Sequence, residues 1–292
     1  TMCTTWHTVA TKDTRLLRRQ LDAVNALPKK YVFLNYLRCH DDIGWGLDYE
    51  WLNLNFGIDE VLHKRYLNDY FQGFVDNSTS RGELYNDDIT SGDARLCGTT
   101  ASLCGIEKAG FEQDHIAMER AVLFDLTLHA MMFMQTGIPM LYSGDELAQV
   151  NDYSYKKDPK KAADSRYLHR GRMKWELSKH MHDLETPEGK VFCGLNALID
   201  LRGTCPAFST QADVWTLDTG DNGLLAIGRY ASGQKVIGIF NFTEWEKIVT
   251  FSHDQGEFRD MLTGKHYLLQ NLSVPAYGFY YLEQKNEENK KN

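Results

Sequence analysis

The chain has 292 residues, enough for one large domain or two ordinary ones. Hydrophobic residues make up 42% and charged residues 25%, the composition of a folded globular protein. A net charge of −8 excludes the basic surface of a nucleic-acid binder, and no apolar run or signal peptide points to a membrane.

Residues 11–27 read as the first helix. Leu17, Leu21 and Val24 form an apolar stripe, Arg15, Arg18 and Arg19 supply a solvated side, and Pro28 stops the run. Residues 31–37 are apolar or aromatic except for Asn35, as in a strand buried on both faces of a parallel sheet. His40, Asp41, Asp42, Gly44 and Trp45 follow at once. Carboxylates at the C-terminal end of a parallel strand stand where α/β barrels place their chemistry. The competing reading is a solvated turn whose carboxylates cap the next segment.

Residues 45–110 differ, with eight glycines, one helical stretch around Ile58–Phe74 and a polar, turn-rich run over 76–95. A structureless loop of that length is unusual, so an inserted subdomain is expected. Asp114 caps a helix over 115–136 that is apolar on most faces and therefore sits between layers. Gly137 ends it, and a second strand over 138–142 runs into Ser143, Gly144, Asp145 and Glu146. A polar connection over 147–185 leads to a helix over 188–202, closed by Gly203 and Pro206. From Cys205 the pattern is one of short strands, at 214–217, 223–230, 235–242, 247–251 and 277–282, with a hairpin turn at 231–234. This predicts an antiparallel β-sandwich over 205–283 and a disordered charged tail over 284–292.

Other chemistry is sparse. The six cysteines, at 3, 39, 97, 104, 193 and 205, form no Cys-x-x-Cys pair and no disulfide framework. No metal site and no cofactor are expected from them, and a reducing compartment, the cytoplasm, fits best. His180 and His182 lie in a polar loop, and the aspartates at 145, 152, 158 and 164 build no compact calcium loop. No phosphate-binding glycine loop and no Ser-His-Asp motif is present. Aromatic residues at 12% suit sugar recognition, although most of them are expected to be core. A retaining glycosidase needs two carboxylates about 5 Å apart, and Asp41 with Glu146 is the naive pair.

Five segments together carry a more specific signal. They are residues 33–45, FLNYLRCHDDIGW; 91–95, SGDAR; 137–146, GIPMLYSGDE; 151–155, NDYSY; and 164–166, DSR. In this order and spacing they resemble the amylosucrase branch of the α-amylase superfamily of glycoside hydrolases. The resemblance runs from about Trp6 into the β domain. It implies the C-terminal part of a (β/α)8 barrel: 1–44 with barrel helix six and strand seven, 45–110 as a subdomain inserted after strand seven, and 111–204 with helix seven, strand eight and helix eight.

The resemblance also implies roles. Asp41 matches the third acid, which stabilises an oxocarbenium-like transition state, and His40 matches a ligand of the sugar that is cleaved. Asp42 and Arg95 match residues of the acceptor or fructosyl side. Arg166 matches an arginine whose aspartate partner lies outside this chain, and Asp145-Glu146 would be structural. The family's nucleophile and acid/base belong to strands four and five and would precede Thr1. The expected function is then the C-terminal part of an α-retaining glucosyltransferase or hydrolase acting on sucrose or α-glucan, inactive alone. Its partners would be the sugar and the N-terminal part of the same enzyme. A sucrose or α-glucoside hydrolase and a non-catalytic carbohydrate-binding fragment are the alternatives. Cys39 departs from the pattern, which commonly has a small hydroxyl residue there.

Overall fold

A computed structural model describes residues 1–251 and 256–284. The helices are α1 (Met2–Thr11), α2 (Arg15–Asn25), α3 (Tyr49–Phe56), α4 (Glu60–Gln72), α5 (Thr100–Cys104), α6 (Ile106–Glu112), α7 (His115–Met134) and α8 (Pro187–Thr204). The strands are β1 (Leu34–Asn35), β2 (Ile43–Gly44), β3 (Glu83–Tyr85), β4 (Arg95–Cys97), β5 (Ile138–Pro139), β6 (Asp213–Leu217), β7 (Leu224–Ala231), β8 (Gln234–Asn241), β9 (Lys247–Val249), β10 (Glu257–Asp260), β11 (His266–Leu268), β12 (Leu272–Val274) and β13 (Phe279–Gln284). The chain forms two compact units that interleave in sequence. The first takes residues 1–11, 36–128 and 140–195, the second 12–35, 129–139 and 196 onward. No helix among the described residues is long and apolar enough to cross a membrane.

The first unit explains why its sequence is rich in glycine. Asp48 and Asp59 accept from the backbone N–H groups of Trp51 and Leu62 and so start α3 and α4. Gly57 and Gly73 end them with positive φ, a conformation open to glycine without a Cβ penalty. The core gathers Trp6, Trp45 and Phe71: Phe71 stacks on Trp45 at 5.6 Å and meets Trp6 edge-on at 5.7 Å. A three-stranded antiparallel sheet has the order β2-β4-β3, with Gly44 opposite Arg95.

The second unit is built on a six-stranded antiparallel sheet in the order β11-β10-β13-β8-β7-β6. The β9-β12 ribbon supplies a second layer. Val249, Leu272 and Val274 join Leu224, Ala226, Ile237 and Ile239 in one buried cluster. The expected hairpin at 231–234 is present: Ala231 pairs with Gln234, and Ser232 and Gly233 both take positive φ, as a two-residue primed turn requires. Arg229 of β7 is buried and donates to the carbonyls of Met134 and Gln135, which satisfies the end of α7, and to those of Ala207 and Ser209. Removal from water pulls its pKa down to about 10.

Several expectations are corrected. The strand over 31–37 shrinks to β1, which pairs in parallel with β5 through Leu34 and Ile138. Tyr31, Val32 and Leu34 are exposed rather than buried on both faces. A parallel strand is covered only when strands and helices flank it, and among the described residues β1 has β5 as its one partner. The strand over 138–142 likewise ends at Pro139. Strands β10, β11 and β12 were not anticipated, and α1 precedes the helix expected at 11–27, which starts at Arg15. Gln284, assigned to the tail, closes β13 opposite Phe258. Residues 285–292 lie outside the described residues.

Candidate functional site

The segment from Tyr36 to Asp42 is fixed from below before it presents anything. The Trp6 indole Nε1 donates to the Leu37 carbonyl at 2.7 Å in a buried site. Arg38 is 3% exposed, as is Asp145, and its Nη2 and Nε sit 2.7 and 2.8 Å from Asp145 Oδ1. Its guanidinium also stacks on the Tyr142 ring at 4.5 Å. Asp145 therefore ties the turn after β5 to the segment after β1. Glu146 caps its own turn by accepting from the Gly144 N–H at 2.7 Å. In this arrangement Glu146 is a turn residue, not a carboxylate aimed at Asp41.

Shortly past the anchored arginine the chain surfaces. His40 and Asp41 are exposed, with His40 Nε2 at 3.4 Å from Asp41 Oδ2. Arg170 holds both: its Nη2 reaches Asp41 Oδ1 at 3.2 Å and its Nε donates to the His40 carbonyl. His169 supports the same carbonyl from a buried site. Its Nδ1 accepts from the Gly98 N–H at 3.1 Å, which leaves Nε2 to carry the proton toward the His40 carbonyl at 3.3 Å. Burial, and next the charge of Arg38, push its pKa down to about 4. A neutral ring with that one tautomer follows.

Asp42 lies within the field of three arginines. Burial raises its pKa above the ordinary 3.8; Arg95, Arg166 and Arg170 oppose that rise and Asp41 adds to it. Arg95 reaches this side across Gly44, its partner in the β2-β4 ladder. A Cβ on Gly44 would lie 1.9 Å from Arg95 Nη1, so glycine is what lets the arginine pass. Arg166 is held by Asp164 through two parallel contacts of 2.8 Å and lies over the Tyr85 ring at 4.4 Å. The hydrogen bond to Asp164 drives the Arg166 pKa up, and the same bond draws Asp164 down. The structure thus gives Arg166 a partner inside the chain, where the resemblance implies one outside it. Below these groups Cys97, Tyr155 and Leu168 form a small buried cluster with Tyr85 and Tyr167 against it.

The first unit therefore brings His40, Asp41, Asp42, Arg95 and Arg166 into one electrostatic neighbourhood. Sequence reasoning missed His169 and Arg170. They closely follow the Asp-Ser-Arg motif and reach back about 130 positions along the chain. No local periodicity signals such a contact, although a basic pair after a recognised motif was a usable hint. The arrangement is chemically suited to a neutral, hydroxyl-rich ligand. Carboxylates accept from hydroxyls and guanidinium groups donate to ring and hydroxyl oxygens, and Arg170 and Asp164 hold the directions of Asp41 and Arg166.

No protein-family model matches the chain. Among solved structures, the chain is similar to sucrose 6F-phosphate phosphorylase from Thermoanaerobacter thermosaccharolyticum, with a TM-score of 0.57 and 18% identity over 91% of the chain. The match takes in 46% of that enzyme, so the chain spans about half its length. A maltogenic amylase from S. marinus matches 56% of the chain and 19% of its own length, at 21% identity and a TM-score of 0.39. The phosphorylase likeness establishes a shared fold over most of the chain.

Proposed function

We propose that this chain is the C-terminal portion of an α-amylase-superfamily enzyme of the amylosucrase type, an α-retaining glucosyltransferase or glycoside hydrolase acting on sucrose or α-glucan. The observation that carries the reading is the turn itself: His40 and Asp41 exposed on a segment anchored by Arg38 and Asp145, with Asp42 next to them under the charges of Arg95, Arg166 and Arg170. The shared fold with a sucrose 6F-phosphate phosphorylase supports it.

In this reading residues 1–44 and 111–204 are barrel elements, 45–110 an insertion and 205–283 the β domain. Asp41 stabilises the positive charge that develops on the sugar ring, so it acts mainly in the transition state. His40 binds the same sugar, and Asp42, Arg95 and Arg166 hold the neighbouring unit. The nucleophile and acid/base come from the N-terminal part of the same enzyme. The exposed residues Tyr31, Val32 and Leu34, at and just before β1, fit an edge that further barrel strands would cover.

The test is saccharide binding and turnover by the 292-residue chain. We expect weak binding of sucrose or maltooligosaccharides that Asp41→Ala abolishes, with no turnover. Robust sucrose cleavage by the chain alone would overturn the assignment of the nucleophile to another segment. In the complete enzyme, Asp41→Ala lowers kcat far more than it raises KM; a variant with near-normal kcat would remove Asp41 from the chemistry.

A further inference from the structure

The turn that offers two sugar ligands also offers three metal ligands. Cys39, His40 and Asp41 place one ligand atom each, a thiol sulfur, an imidazole nitrogen and a carboxylate oxygen, all within 4.8 Å of one another. In a tetrahedral site, bonds of about 2.0–2.3 Å put ligand atoms roughly 3.5 Å apart. His40 Nε2 and Asp41 Oδ2 already stand at 3.4 Å. The Cys39 sulfur lies 3.4 Å from the Asp41 backbone N–H, which keeps it on the same side of the turn. Asp41 divides its two oxygens: Oδ1 is taken by Arg170 at 3.2 Å, and Oδ2 faces the histidine. That is how an outer partner fixes a carboxylate ligand. Both His40 and Asp41 are exposed, so an ion and its waters have access.

We propose that Cys39, His40 and Asp41 bind one borderline-soft divalent transition-metal ion, zinc above all, with water completing the coordination. A thiolate, an imidazole and a carboxylate suit zinc and disfavour magnesium or calcium, which take oxygen ligands. Binding displaces the thiol proton to solvent and changes no oxidation state. The absence of a Cys-x-x-Cys pair, which argued against a metal in the sequence, does not bear on a site made by three consecutive residues. Resting on the sugar reading above, the ion and the saccharide exclude each other, because both take His40 and Asp41.

Cobalt(II) is the probe, added to the 292-residue chain under reducing conditions. We expect a thiolate-to-cobalt charge-transfer band that saturates at one ion per chain and that zinc erases. Cys39→Ser removes the band, Cys3→Ser keeps it, and His40→Ala or Asp41→Ala weakens cobalt binding by at least about tenfold, since even outer-shell partners are worth that much. No band, a band that survives Cys39→Ser, or one lost in Cys3→Ser overturns the metal site and leaves the sugar reading standing. Circular dichroism of each variant confirms that its fold is kept. Saturating saccharide raises the cobalt concentration needed for half-occupancy; a band indifferent to a saccharide shown to bind by calorimetry overturns the mutual exclusion and leaves the metal site standing.

Discussion

Arg38 and Asp41 stand three residues apart, and each is half of an arginine–carboxylate pair, yet the two pairs do different work. Arg38 and Asp145 are each 3% exposed, while Asp41 is 59% exposed beside Arg170. The buried pair gave up its hydration and is held by its geometry; the exposed pair keeps its water and can exchange it for a ligand. One turn of chain therefore separates a buried frame from the exposed surface proposed to bind ligand. The comparison breaks first at the frame. Asp145→Ala leaves Arg38 charged, buried and without its counter-ion, and should cost about 3–5 kcal/mol. The double change Arg38→Met with Asp145→Leu should recover most of that loss, because it removes both desolvation costs together. Urea unfolding of the three proteins measures the difference, and a single variant within about 1 kcal/mol of the parent would place both pairs in the same class.

His169 sits between frame and surface, buried against the His40 carbonyl, and gives the comparison a pH dependence. Its folded pKa is lowered from 6.5 to about 4, so its contribution to stability is fully present above pH 6.5. As pH falls, the unfolded ring takes up a proton that the folded ring refuses, and stability is lost down to about pH 4. The loss attributable to this residue is roughly 3 kcal/mol, because each tenfold change in a protonation equilibrium is worth about 1.4 kcal/mol. His169→Gln should flatten that part of the profile of unfolding free energy against pH. A profile of unchanged slope would show that His169 titrates alike in both states.

How much of this was legible depends on where each contact closes. Helices α7 and α8, the long strands β7 and β8, and the hairpin between them were readable because their signals are local: a cap at Asp114, a run of apolar residues, and Ser232-Gly233 in a primed turn. The two-stranded pair β1-β5 was placed correctly but drawn too long. Apolar composition over 31–37 records what a strand could bury and does not say how many neighbours are there to bury it. At the candidate site, a motif is what points to His40, Asp41 and Asp42. Their tethers Arg170 and His169 were not, because a side chain reaching a carbonyl about 130 residues away leaves no period in the sequence. Arg166 was recognised and its partner was not, although Asp164 stands two residues before it.

The surface side can be sharpened with smaller changes. Gly44→Ala puts a Cβ where Arg95 Nη1 now lies, and that guanidinium is the free end of a flexible side chain. Gly44 itself is buried, but the exposed Arg95 side chain can swing away, so the fold should yield by about 1 kcal/mol. Saccharide binding should nevertheless fall as it does in Arg95→Ala, since both displace the same group. Calorimetry on the two variants decides this, and Gly44→Ala binding like the parent would take Arg95 out of the site.

The smallest stability effect should come from Asp41 itself, and it is the sharpest contrast with Asp145. Asp41→Asn keeps the shape and an acceptor for Arg170 but removes the charge. An exposed ion pair is worth about 0–1 kcal/mol, less in salt, because water already screens both groups. Unfolding free energy should therefore move by no more than that, and the difference should shrink further at high ionic strength. Ligand binding need not follow the same rule: a hydroxyl that displaces water from a carboxylate depends on the charge lost here, and charge-assisted hydrogen bonds are roughly twice as strong as neutral ones. Asp41→Asn is thus expected to bind saccharide measurably more weakly while melting with the parent. If Asp41→Asn instead destabilised the fold as much as Asp145→Ala, Asp41 would belong to the frame, and the binding surface would have to be sought elsewhere on the unit.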